Sequence, residues 1–130
     1  MTTTEAIPVV REVLREQISA DIATRINHHH DMAVVLSGED NELFTAVRRD
    51  AQVDGVAVDL GHVGEVVGVK PEALEQLLSE GKIPVVSSLA PEVDSAAVLN
   101  VNADTAAAAL AVALKAAKLV LLTDVPGWFY

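Results

Sequence analysis

The chain has 130 residues, enough for one domain, and about half are hydrophobic (51%, mean hydropathy +0.34), so a real core is expected. Nineteen acids against nine bases give a net charge of −10, spread along the chain, which excludes a basic nucleic-acid footprint and makes anionic membrane surfaces poor partners. The absence of cysteine excludes disulfides and thiolate chemistry and fits a cytoplasmic location, and no leader pattern or membrane-length apolar run is present.

The first segment, about Thr4 to Asn27, predicts a helix with Thr4 as its cap and Pro8 tolerated near its start. Val10, Val13, Leu14, Ile18, Ile22 and Ile26 recur at helical spacing and form one apolar face. Ala33 to Ser37 is a short apolar run of the kind found in strands covered on both faces. Leu43 to Val53 and Val56 to Leu60 flank Asp54-Gly55, a strong hairpin signal. The glycine-punctuated GHVGEVVGV reads as strand and turn. Pro71 opens a second helix and Gly81 closes it. Ile83 to Ser88 is another buried-strand run, and Ala96 to Val101 a short strand. Asn102 can cap a third helix running to about Lys118. Leu119 to Thr123 (LVLLT) predicts a further apolar strand. The alternation implies a three-layer α/β sandwich, a mainly parallel sheet with helices on both faces plus one β-hairpin, as a single domain over residues 1–130. In such sheets ligands bind at the carboxyl ends of the strands, here Ser37 to Asp40, Ser87 to Ala90 and Thr123 to Val125.

Four stretches then carry a resemblance: LSGEDNELFTAVRR, DLGHVGEVVGV, LLSEGKIPVVSSLAP, and NVNADTAAAALAVAL followed by KLVLLTDVPG. Together, from about Thr3 to Gly127, they resemble the N-acetylglutamate kinases of the amino acid kinase family. The resemblance implies an amino acid kinase-like fold, cut down to the N-acetylglutamate-binding domain and the first strand of the nucleotide domain. Its parent reaction is phosphoryl transfer from MgATP to the γ-carboxylate of N-acetyl-L-glutamate, a step of arginine biosynthesis. It places Asn100 at the substrate, Asp104 as the carboxylate that orients the catalytic lysines, and Thr123, Asp124 and Gly127 at the start of the nucleotide region. Read from the residues alone, Asn102 and Asp104 are also ordinary capping and first-turn residues, and Thr123-Asp124 also suits a turn.

The family's two lysines and its Gly-rich strand-loops have no counterpart among Lys70, Lys82, Lys115 and Lys118. Phosphoryl transfer depends on such cations, so the expectation is a central fragment without turnover, needing no cofactor itself and binding N-acetyl-L-glutamate at most weakly. Val35 and Lys115 stand where the family carries glycine, HHHD replaces a glycine-containing turn, and Trp128-Phe129-Tyr130 crowds the end. These departures suggest an engineered or reconstructed minimal domain, and the alternative function is a structural scaffold or self-associating module without ligand. His28, His30 and Asp31 are metal-ligand types, but adjacent residues point apart, so a polar turn is the main reading and no metal is expected. His62 reads as a loop histidine. The resemblance also implies a homodimer through the helix spanning 4–27.

Overall fold

The computed structural model describes residues 2–53 and 56–124. The first helix is continuous but not uniform: α1 (Ala6–Arg11), a π-helical stretch (Glu12–Ser19) and α2 (Ala20–Asn27) follow one another. Its N-terminus has no side-chain cap. Thr4, expected to cap it, instead shares its hydroxyl with His62 Nε2 at 3.0 Å. His62 is more than a loop residue. Its Nδ1 lies 3.0 Å from the Val98 carbonyl, and its backbone N–H donates to Thr2. The chain start is thereby tied to the strand that carries Val98.

Asn27 ends the helix and holds the turn that follows. Its Oδ1 accepts from the N–H groups of Met32 and Ala33, and its Nδ2 donates to the Ala33 carbonyl. The exposed His28 to Asp31 turn is spanned by this one amide. It leads into β1 (Ala33–Ser37), a 3-10 turn (Asp40–Glu42), β2 (Phe44–Arg48), β3 (Ala51–Val53), β4 (Val56–Val58) and β5 (Val63–Val69). Then come α3 (Glu72–Ser79), β6 (Ile83–Ser87), β7 (Leu89–Pro91), β8 (Val98–Val101) and α4 (Ala103–Ala113).

The α/β class is as the sequence implied. β1 and β6 pair in parallel, Ala33 opposite Ile83 through Ser37 opposite Ser87. A four-stranded sheet has the order β2-β5-β8-β7, with β5 and β8 parallel and the outer pairs antiparallel. β3 and β4 form the hairpin, with Val53 opposite Val56; Asp54 and Gly55 lie outside the described residues. The core is built on Leu43, Phe44, Ala46, Leu74, Ala90, Leu99, Val101 and Ala106. Phe44 is 1% exposed, and burying such a ring contributes about 2–3 kcal/mol.

Two helix ends share one geometry. At α3, Gly81 takes φ 75°, its N–H donates to Leu78, and Lys82 N–H donates to Leu77. At α4, Lys115 takes φ 49°, its N–H donates to Val112, and Ala116 N–H donates to Ala111. Both are Schellman turns, which favour glycine at the left-handed residue. Gly81 meets that preference and Lys115 does not. The third helix therefore stops at Ala113 rather than near Lys118.

The expected strand Leu119 to Thr123 is not a strand. Among the described residues it joins no strand, and Leu122 is 94% exposed. Its apolar composition suits a covered strand, but a strand exists only when a partner supplies its hydrogen bonds. Trp128, Phe129 and Tyr130 lie outside the described residues.

Candidate functional site

The carboxyl ends of β1 and β6 meet. Gly38 N–H donates to the Ser87 carbonyl at 2.9 Å, and Phe44 N–H donates to the Gly38 carbonyl at 2.8 Å. A Cβ on Gly38 would overlap the Phe44 ring and the Leu89 carbonyl, so the SGED loop needs glycine for space. Asn41 and Glu42 take left-handed backbone angles (φ 55° and 54°), a strain that neighbouring bonds must hold in place. Ser37 N–H donates to Asp40 Oδ2, and Glu42 pairs with Lys70. The hydrogen bond from the Lys70 ammonium holds the Glu42 carboxyl below its ordinary range.

The first helix anchors the same loop. Arg11 reaches both Glu39 oxygens, at 2.7 and 3.0 Å, and Arg15 reaches Asp40 Oδ1 at 2.8 Å. Hydrogen bonding to Glu39 raises the Arg11 pKa above its ordinary value. These fork contacts fix how the helix lies over the strand ends. Sequence reasoning missed both arginines. They sit one helical turn apart, yet nothing in a single sequence links them to carboxylates 28 and 25 residues away.

A groove of about 450 Å³ lies between the helix residues Val9, Val10, Val13 and Leu14 and the strand-end residues Ser88, Asn100, Val101 and Ala103. Val101 N–H donates to the Ser88 carbonyl, and Asn100 N–H to the His62 carbonyl, which fixes this wall. The side-chain amide of Asn100 has no hydrogen-bond partner among the described residues. With Ser88 it is the polar part of a mainly apolar groove, a pattern suited to orienting a small ligand.

Asn102 caps α4, its Oδ1 accepting from Thr105 N–H at 3.0 Å and from Thr105 Oγ1 at 3.1 Å. Asp104 follows in the first turn, exposed and outside the groove. Among the described residues no cation pairs with it. Lys115 is eleven residues further along, about 16 Å at the rise of an α-helix. Thr123 and Asp124 lie on the exposed segment after α4, away from the groove lining, and Gly127 is outside the described residues.

His28, His30 and Asp31 sit at the opposite end of β1 from the groove. His28 and His29 meet edge to face at 5.5 Å, and Lys82 donates to the Asp31 carbonyl at 2.8 Å. Among the described residues no three His, Asp or Glu side chains converge on a point that could hold a metal ion. No described helix is long and apolar enough to cross a membrane.

The scaffold is α/β, with the SGED segment after β1 and the NVNAD segment running from β8 into α4. The amino acid kinase family profile matches residues 1–129, and the chain belongs to that family. It is 59% identical over 130 residues to the acetylglutamate kinase of Leifsonia xyli subsp. xyli, across 99% of this chain and 43% of that one. It is 57% identical over 132 residues to the acetylglutamate kinase of Acidothermus cellulolyticus, across 99% of this chain and 45% of that one. The crystal structure of smu.665 from Streptococcus mutans UA159 superposes with a TM-score of 0.80 at 27% identity, covering 95% of this chain and 48% of that one. The chain thus spans less than half the length of these relatives.

Proposed function

We propose that this chain is the acetylglutamate-binding part of an acetylglutamate kinase and has no turnover by itself. The observation that carries the reading is the uncommitted Asn100 amide on the groove beneath the first helix. In the parent reaction the γ-phosphoryl group of MgATP moves to the γ-carboxylate of N-acetyl-L-glutamate. Asn100 would hold the amino-acid portion of that substrate.

The rest of the chemistry lacks support here. Phosphoryl transfer needs cations placed on the developing charge. Arg11 and Arg15 are committed to Glu39 and Asp40, and Lys70 and Lys82 to Glu42 and Asp31. Asp104 has no lysine to orient, and alone it repels ATP. Removing one charge-stabilising element costs about two to three orders of magnitude, so the isolated chain should show none of the parent activity.

The test is a calorimetric titration with N-acetyl-L-glutamate beside a coupled assay with MgATP. Weak binding that Asn100→Ala abolishes, with no turnover, supports the reading. Turnover that disappears in Asp104→Ala would sink it, as would binding that Asn100→Ala leaves unchanged. A second reading, a self-associating module without ligand, is favoured by the exposed Val9, Ile18 and Ile22 on the first helix. No binding at millimolar ligand together with a stable dimer would select it.

A further inference from the structure

Every hydrogen-bonding group of His62 has a partner, and each partner leads into one wall of the Asn100 groove. The backbone N–H donates to the Thr2 carbonyl at 2.6 Å, and Nε2 meets the Thr4 hydroxyl at 3.0 Å. Thr2 and Thr4 lead into the first helix, whose Val9, Val10, Val13 and Leu14 form one wall. The backbone carbonyl accepts from Asn100 N–H at 2.8 Å, and Nδ1 meets the Val98 carbonyl at 3.0 Å. Val98 and Asn100 both belong to β8, on the side of the other wall. Arg11 and Arg15 tie the helix to the SGED loop, whereas His62 ties its start to the strand that carries Asn100.

The contacts also fix the tautomer. A carbonyl oxygen can only accept, so Nδ1 carries the proton toward Val98. In the neutral ring Nε2 is then an acceptor, and the Thr4 hydroxyl donates to it. Threonine is a favoured helix cap, yet α1 has no side-chain cap and the Thr4 hydroxyl serves His62 instead. The backbone that presents the ring is itself held. Gly61 takes φ 73°, its N–H donates to Asp59 Oδ1 at 2.7 Å, and its carbonyl accepts from Arg48 at 3.2 Å.

We propose that His62 is the positioning residue of this groove. Its ring sets the spacing between the helix wall and β8, and through that spacing the orientation of the Asn100 amide toward an amino-acid ligand. The identity of the ligand rests on the acetylglutamate reading, whereas the positioning can be read without any ligand.

The test is two-dimensional NMR of the isotope-labelled chain, followed by calorimetric titration with N-acetyl-L-glutamate. With the ring neutral, the His62 nitrogen shifts should place the proton on Nδ1. Thr4→Val keeps the side-chain shape and removes the hydroxyl. It should move the Asn100 side-chain amide resonances and weaken binding about threefold, the lower end of a neutral hydrogen bond for this exposed pair. Thr4→Ser should behave as the parent. His62→Ala leaves the backbone bonds in place and should weaken binding about tenfold. Gly81→Ala, outside the groove lining, should leave the Asn100 resonances and the affinity unchanged, which separates positioning from a general loss of stability. A proton on Nε2 would overturn the proposal. So would unmoved Asn100 resonances in Thr4→Val, even if His62→Ala fails to fold, or equal weakening of binding by Gly81→Ala. A parent that binds no N-acetyl-L-glutamate would overturn the ligand reading alone, and the ligand-free spectra still decide the positioning.

Discussion

Asn102 and Asp104 stand two residues apart and do different work. The Asn102 carboxamide holds the first turn of α4, accepting from the Thr105 N–H and hydroxyl. Asn102→Ala should therefore cost about 1 kcal/mol in urea unfolding. Asp104 has only its place in the first turn, a favourable site for a negative charge at a helix N-terminus. Asp104→Ala should cost about 0.5 kcal/mol or less, and Asp104→Asn no more than that. A larger loss from Asp104 than from Asn102 would contradict the assignment of the cap. Glu92 supplies a pH test. Hydrogen bonding to Arg48 is the main cause that lowers its pKa from 4.5, with Ser95 and the charge of His62 adding to it. The folded pKa lies below the unfolded one, so its stabilising contribution is fully present above about pH 4.5. It is lost as the pH falls through the depressed folded value. Glu92→Gln should narrow the difference in unfolding free energy between neutral and acid conditions. An unchanged pH profile would show that the Arg48 pair contributes nothing.

At the scale of elements, the α4 terminus carries a defect that one substitution can repair. Lys115 occupies the left-handed position of a Schellman turn that Gly81 fills at α3. A non-glycine residue there pays a steric cost of roughly 1–2 kcal/mol, partly offset because glycine is freer in the unfolded chain. Lys115→Gly should raise stability by about 0.5–1 kcal/mol, and Gly81→Ala should lower it by about 1 kcal/mol. Denaturant midpoints measure both, and a loss of stability in Lys115→Gly would refute the strain. The Lys115 geometry was half legible in the sequence, since the resemblance marks the position as glycine but only the backbone shows it left-handed. The first helix, α3, α4, β1, β6 and the β3-β4 hairpin were legible because periodicity, caps and turn residues are local signals. Leu119 to Thr123 was misread because composition reports what a segment prefers, whereas a strand requires a neighbour. The NVNAD pattern singled out Asn100, and the structure places that residue on the groove wall. Its anchoring by Arg11 and Arg15 was not, because ion pairs that long in sequence leave no local mark.

The molecule as a whole leaves much apolar surface uncovered for its size. Val9, Ile18 and Ile22 are exposed on the first helix, and Leu119, Val120, Leu121 and Leu122 on the segment after α4. Such surface favours association, while the charge of −10 opposes indiscriminate collapse. The two regions predict different behaviour. A helix face is rigid and self-complementary about a two-fold axis, which gives a closed dimer. An exposed apolar segment outside any strand gives open-ended, poorly defined association. We expect a homodimer through the first helix. Its face carries Ile18 at 47% and Ile22 at 43% exposure, and Arg11 and Arg15, tied to the SGED loop, hold it in place. Sedimentation equilibrium at tens of micromolar should show a dimer for the parent. Ile18→Glu with Ile22→Glu should give a folded monomer, since two buried carboxylates at a two-fold contact would face their own copies. Val120→Lys with Leu122→Lys should leave the dimer intact and suppress only the larger species. A monomeric parent would end the idea, as would a folded helix variant that associates as strongly as the parent. Loss of the dimer in the segment variant alone would move the interface to Leu119 to Leu122.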